Sequence, residues 1–124
     1  MLLKLQKTHL MLIGAFLVSS GLVGFILLTS YNHDDLAKCL DEKGVKLYGA
    51  FWCPHCQQQK QMFGSSQKYL NYVECSTPDG ESQNEVCASK NITSYPTWEL
   101  SNGTRIVGEQ TFEDLSKISG CIAK

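Results

Sequence analysis

No charge of either sign predominates: 11 basic against 12 acidic side chains leave a formal net charge of −1. A nucleic-acid-binding chain normally carries a basic face, so there is no electrostatic footprint for such a partner. Charged residues are few, at 19%, against 43% hydrophobic, and that balance argues against wholesale disorder. There is no internal repeat and no low-complexity segment. The 124 residues leave room for one domain and a short appendage. Cysteine, in contrast, is abundant. Six residues, an even number, point to an oxidising compartment or to thiol or metal chemistry.

Residues 10–32 lack Asp, Glu, Lys, Arg and His altogether. A helix of about 20 residues covers the ~30 Å hydrocarbon core of a bilayer. Lys4, Lys7 and His9 precede the stretch, and Asp34 and Asp35 follow it. Positive charge stays in the cytoplasm. The expectation is therefore a cytoplasmic N-terminus over 1–9, a transmembrane signal anchor over 10–30 and an extracytoplasmic domain over 31–124, in the periplasm or at the cell exterior. A cleaved signal peptide is the competing reading. It would have a shorter apolar region and a small-residue cleavage site, which Leu28-Thr29-Ser30-Tyr31 matches poorly.

Within 31–124, Asn32 or Asp34 can cap a helix bearing Leu36, Cys39 and Leu40, with Gly44 to end it. Residues 45–51 read as a strand. Pro54 suits the first position of a helix, with Cys53 as its cap. A second strand covers 71–75, and Ser82 with Glu85 is a capping box for a short helix through Cys87. Asn102-Gly103 between two strand-like runs signals a hairpin. Thr111 with Asp114 caps a last helix carrying Phe112, Leu115 and Ile118, and Gly120 ends it. Strands separated by helices are expected to pair in parallel, with the hairpin adding an antiparallel strand. The fold class is α/β: a small mixed four-stranded sheet with helices on both faces, preceded by one transmembrane helix. Tyr48, Phe51 and Phe63 read as core.

Cys53-Pro54-His55-Cys56 follows a strand and opens a helix. A helix N-terminus presents free N–H groups and partial positive charge, and both favour a thiolate on Cys53. His55, if protonated, adds to this. Cys56 lies one turn further on, placed to close a disulfide with Cys53 and to be less exposed. The assignment is Cys53 as attacking thiol and Cys56 as resolving thiol. A structural zinc site would need a second C-x-x-C or a paired His/Cys set. Haem attachment would need His at position 57, which is Gln. No metal or other cofactor is expected beyond the redox-active cysteine pair.

Phe51-Trp52-Cys53-Pro54-His55-Cys56 with Ser94-Tyr95-Pro96-Thr97 resembles the thioredoxin superfamily. The longer set adds Tyr48-Gly49-Ala50, Gln59-Lys60, Phe63-Gly64, Tyr72-Val73-Glu74-Cys75 and Trp98. It resembles the thioredoxin-like domain attached to bacterial and archaeal homologues of vitamin K epoxide reductase, over about residues 33–121. The resemblance implies a thioredoxin-like fold, a cis Pro96 facing the two cysteines, and a Tyr95-Pro96 loop that offers backbone groups to a substrate peptide. Trp52 and Trp98 flank these segments and either form an apolar surface for substrates or simply pack. One departure stands out: where thioredoxin has a buried acidic residue that assists proton transfer, this strand carries Leu47. The proton acceptor for Cys56 is left open.

Pro-His between the cysteines resembles DsbA-like oxidants. Moving a nucleophilic cysteine from ~7 to ~3.5 in pKa stabilises the reduced form by roughly 4.8 kcal/mol. That is about 100 mV of the ~150 mV separating thioredoxin from DsbA. The expected function is a thiol–disulfide oxidoreductase, a protein disulfide oxidase acting on exported proteins with reduced cysteines. The resemblance implies re-oxidation by a quinone-linked membrane partner of the vitamin K epoxide reductase or DsbB type, expected to be a separate protein. The alternatives are a reductase or isomerase fed by a transmembrane donor, and a non-catalytic metal-binding or client-holding module.

With Cys53 and Cys56 set aside, three pairings remain for the other cysteines. A Cys75–Cys87 bridge would tie down the polar loop between them, at about 3 kcal/mol in the chain-entropy model, and the resemblance supports it. Cys39 and Cys121 would then join the two ends of the domain, contributing about 4–5 kcal/mol in the same model. The alternative is that one of these pairs shuttles electrons with Cys53–Cys56.

Overall fold

A computed structural model describes residues 33–122. The expected anchor and the cytoplasmic segment before it lie outside the described residues. Among the described residues no helix is long and apolar enough to cross a membrane.

The elements run α1 (Asp34–Glu42), β1 (Lys46–Gly49), α2 (Pro54–Met62), a 3-10 turn (Gly64–Tyr69), β2 (Asn71–Glu74), α3 (Glu85–Ser89), β3 (Thr97–Glu99), β4 (Arg105–Val107) and α4 (Phe112–Ser119). The sheet order is β2-β1-β3-β4. β1 pairs parallel with β2, Leu47 opposite Tyr72, as a helical crossover demands. β3 runs antiparallel to β1, Leu47 opposite Trp98, and β4 antiparallel to β3.

The direction of β3 corrects the parallel pairing expected from sequence. α3 has five residues, about 7.5 Å at 1.5 Å per residue, and cannot carry the chain back along the sheet. The Cys75–Cys87 disulfide also holds the segment at the end of β2. The chain therefore re-enters the sheet from the end at which it left. The α3 cap is likewise not Ser82. Gln83 is held in an isolated bridge to Ser76, so the helix starts later. Asn84 caps it, its Oδ1 accepting from Cys87 N at 3.1 Å while its Nδ2 donates to Glu74 O at 2.6 Å. At α1 the cap position is His33, with no side-chain capping bond, and Asp34 is already helical.

Neighbouring residues of β1 face opposite sides, so both faces of the sheet are covered. On one side Leu47 joins Leu36, Ala37 and Leu40 of α1, Phe63, Trp98 and Leu115 of α4. On the other, Tyr48 packs with Cys75, Cys87 and Ile92. Gln59 is wholly buried, and both its amide oxygen and its amide nitrogen are hydrogen-bonded. It accepts from Trp98 Nε1 at 3.2 Å and Gln110 N at 2.6 Å, and donates to Gln110 O at 3.1 Å. These bonds pin α2 to β3 and to the approach of α4.

The second disulfide joins Cys39 of α1 to Cys121 just past α4, with Cα atoms 5.9 Å apart across 82 positions. Replacing both cysteines by Ala frees a long loop in the unfolded chain. The expected loss is about 2–5 kcal/mol, read as a lower denaturant midpoint in equilibrium unfolding. An unchanged midpoint would contradict a structural role.

Candidate active site

The turn between β1 and α2 sets the geometry. Cys53 N donates to Ala50 O at 3.0 Å, and Pro54 enters α2 at its first position. Its ring fixes φ near the helical value and its missing N–H removes a donor that would have had no helical partner. Cys53 is the N-cap, and its Sγ accepts from Cys56 N at 3.4 Å. The sulfur thus sits where amide hydrogens and the partial positive charge of the helix end converge.

The two thiols differ in access. Cys53 keeps 5% exposure and Cys56 none. Burial, then the adjacent Cys53 sulfur, push the Cys56 thiol up to about 12. The Ala50 backbone and the Lys60 ammonium act the other way without reversing the shift. At neutral pH Cys56 is therefore a protonated thiol.

Across from Cys53 lies the loop before β3. The Tyr95–Pro96 peptide bond is cis, and Cys53 Sγ is 3.9 Å from Tyr95 O. Pro96 is buried and its carbonyl accepts from Gly108 N at 2.8 Å, so the surface beside the sulfur is Tyr95. Trp52 is 53% exposed. Its indole N–H donates to Ser76 Oγ at 3.0 Å, and its ring stands edge-on to Tyr95 at 6.1 Å. Trp98, by contrast, is core. Phe51, expected in the core, is 46% exposed: the strand ends at Gly49 and the following turn carries Phe51 outward. Phe51 and Trp52 lie over Gly80, whose added Cβ would be 3.4 Å and 3.6 Å from their rings.

His55 is 70% exposed and its Nδ1 lies 2.6 Å from Glu109 Oε1. Glu109 was not legible as a site residue, because 54 positions separate the pair and nothing local links them. Cys53, His55, Cys56, Trp52, Tyr95 and Pro96 thus share one end of the sheet. Cys75 and Cys87 are bridged to each other nearby, and Cys39 and Cys121 are bridged elsewhere. Cys53 and Cys56 are the free pair. Among the described residues no cluster of three His, Cys, Asp or Glu could hold a metal ion.

The sequence matches the thioredoxin family over residues 25–121. It is also similar to the thiol-disulfide oxidoreductase LTO1 of Arabidopsis thaliana, 44% identical over 90 residues, which cover 68% of this chain and 23% of that protein. The chain thus spans about a quarter of the length of the relative it matches.

Gly49 closes the site from below. A Cβ there would lie 2.8 Å from Cys56 Sγ and 2.9 Å from Tyr72 Cε2, closer than packed atoms approach. Gly49→Ala is expected to displace Cys56 or Tyr72 and to cost about 1–3 kcal/mol. Equilibrium unfolding of the reduced chain checks this, and parental stability would contradict it.

Proposed function

The chain belongs to the thioredoxin family, and on that premise we propose that Cys53 and Cys56 make it a thiol–disulfide oxidoreductase. The observation that carries this reading is the asymmetry of two sulfurs one helical turn apart. Cys53 sits at a helix N-terminus beside a surface of Trp52 and Tyr95. Cys56 is sealed behind it, with its proton retained.

The net direction we assign is oxidation of exported proteins. In the disulfide form, a substrate thiolate attacks Cys53 Sγ, the Cys53–Cys56 bond breaks, and Cys56 leaves and takes up a proton. A second substrate thiolate then attacks the substrate sulfur of the mixed disulfide, and Cys53 departs as a thiolate. The substrate has gained a disulfide and the chain holds both electrons as a dithiol. The Cys56 N–H and the helix end stabilise the departing Cys53 anion, which favours the reduced form of the chain and so makes its disulfide a stronger oxidant. The Pro54-His55 pair, shared with DsbA-like oxidants, supports the same direction. Two further disulfides fit an oxidising compartment, and the apolar segment before residue 33 supplies the anchor and the export signal in this reading. Electrons leave through a quinone-linked membrane partner of the vitamin K epoxide reductase or DsbB type, which the family resemblance supports.

Phe51, Trp52 and Tyr95 form the apolar border against which an unfolded substrate segment would lie. Cys56→Ser in the full chain is expected to accumulate mixed disulfides through Cys53 with exported, cysteine-containing proteins, resolved by non-reducing electrophoresis and mass spectrometry. The reduction potential of the parent is expected well above the ~−270 mV of thioredoxin. No trapped adduct would contradict the exchange chemistry. A potential at or below ~−270 mV would contradict the oxidative direction.

A further inference from the structure

Exchange at this site requires Cys56 to lose a proton when it attacks and to regain one when it leaves. Cys56 has no exposure to water, and Leu47, two residues before Gly49 on the same face of β1, has no group that accepts a proton. The register of the sheet places Tyr72 of β2 directly opposite Leu47. Cys56 Sγ and Tyr72 Oη lie 2.8 Å and 3.0 Å from the point where a Gly49 Cβ would be. The absence of a side chain at Gly49 therefore lets thiol and phenol share one space. Tyr72 Oη donates to Glu74 Oε2 at 3.1 Å. Residues two apart on a strand share a face, so Glu74 continues the same row. The other carboxylate oxygen accepts from Phe51 N at 3.2 Å and Ser76 N at 2.9 Å, which holds the group in place, and Glu74 retains partial exposure to solvent.

Resting on the exchange chemistry above, we propose that Tyr72 and Glu74 are the proton path of Cys56. In the resolving step Cys56 Sγ attacks Cys53 Sγ of a mixed disulfide. The Cys53–Cys56 bond forms, the bond to the substrate sulfur breaks, and the substrate leaves as a thiolate. The Cys56 proton passes to Tyr72 Oη, whose lone pairs remain available while its own hydrogen points to Glu74. That hydrogen passes to Glu74 and from there to water. Oxidation of a substrate runs the same path in reverse. Burial, then the charge and hydrogen bond of Glu74, hold the Tyr72 hydroxyl above its ordinary value, so Tyr72 relays a proton and does not itself rest as an anion. Among the described residues, the charged and titratable groups acting on this space are Cys53 at the cap of α2, Lys60 from α2, and Tyr72 and Glu74 from β2. Lys60 Nζ lies 4.4 Å from the Tyr72 ring centroid, where its charge steadies the thiolate as it forms.

The test uses the full chain, reduced, mixed with a peptide disulfide in single turnover, with the capture and resolving steps followed by acid quench and mass spectrometry between pH 6 and 9. In the parent the resolving rate is expected to be nearly flat with pH. Tyr72→Phe keeps the ring and loses the hydroxyl. Glu74→Gln keeps an oxygen for the Phe51 and Ser76 amides and loses the acid. Both are expected to slow the resolving step roughly 100-fold at pH 7. Both should also make it rise about tenfold per pH unit, as free thiolate does, with capture by Cys53 unchanged. If Tyr72→Phe does not fold, Glu74→Gln carries the test through the same pH profile. Parental rate and pH profile in either folded variant would overturn the relay. Failure of the parent to capture the peptide at all would overturn the exchange reading, and the relay with it.

Discussion

The site depends on one contact, the amide N–H of Cys56 directed at the sulfur of Cys53 across 3.4 Å. That geometry exists because Pro54 begins a helix where β1 has just ended. The helix end gives Cys53 its electrostatic surroundings, and the same first turn carries Cys56 inward to full burial. The two sulfurs therefore differ through a single local event. Lengthening the turn, or moving the proline, would remove the difference.

The remainder of the domain holds that turn in register. Gln59 anchors α2 through three hydrogen bonds inside an apolar core. Such a buried amide is stable only because each of these polar groups is paired. The Cys75–Cys87 bridge and the Asn84 cap fix the segment that supplies Ser76 to Trp52. Gln83 Nε2 donates to Tyr95 Oη and to Ile92 O, both at 2.6 Å, tying the loop opposite Cys53 to the same segment. The Cys75–Cys87 bridge thus supports the segment beside the free pair, and the Cys39–Cys121 bridge fastens α1 to the chain just past α4.

Much of this was legible locally. Pro54 with Cys53 marked the start of a helix, Asn102-Gly103 marked the hairpin, and Thr111 with Asp114 marked a cap that the structure shows at 3.1 Å. Each is a rule about neighbours within four positions. The features that escaped are those decided by distant contacts. The direction of β3 follows from the shortness of α3 and the bridge that holds it. The α3 cap moved from Ser82 to Asn84 because Ser76 holds Gln83 extended. Phe51 is apolar yet exposed, since the strand stops two residues before it. The 3-10 turn over Gly64–Tyr69 has no periodic pattern to reveal it. Tyr72 and Glu74 did carry a signal, their two-residue spacing on a strand. Only the sheet register and the bare Gly49 turn that spacing into proximity to Cys56.

The fold makes the two cysteines chemically unequal. Alkylation of the reduced chain by iodoacetamide, with each cysteine quantified separately by mass spectrometry at neutral pH, measures that inequality directly. Rapid modification of Cys53 is expected while Cys56 remains unmodified in the folded chain. Equal rates at the two positions, or faster reaction of Cys56, would contradict it.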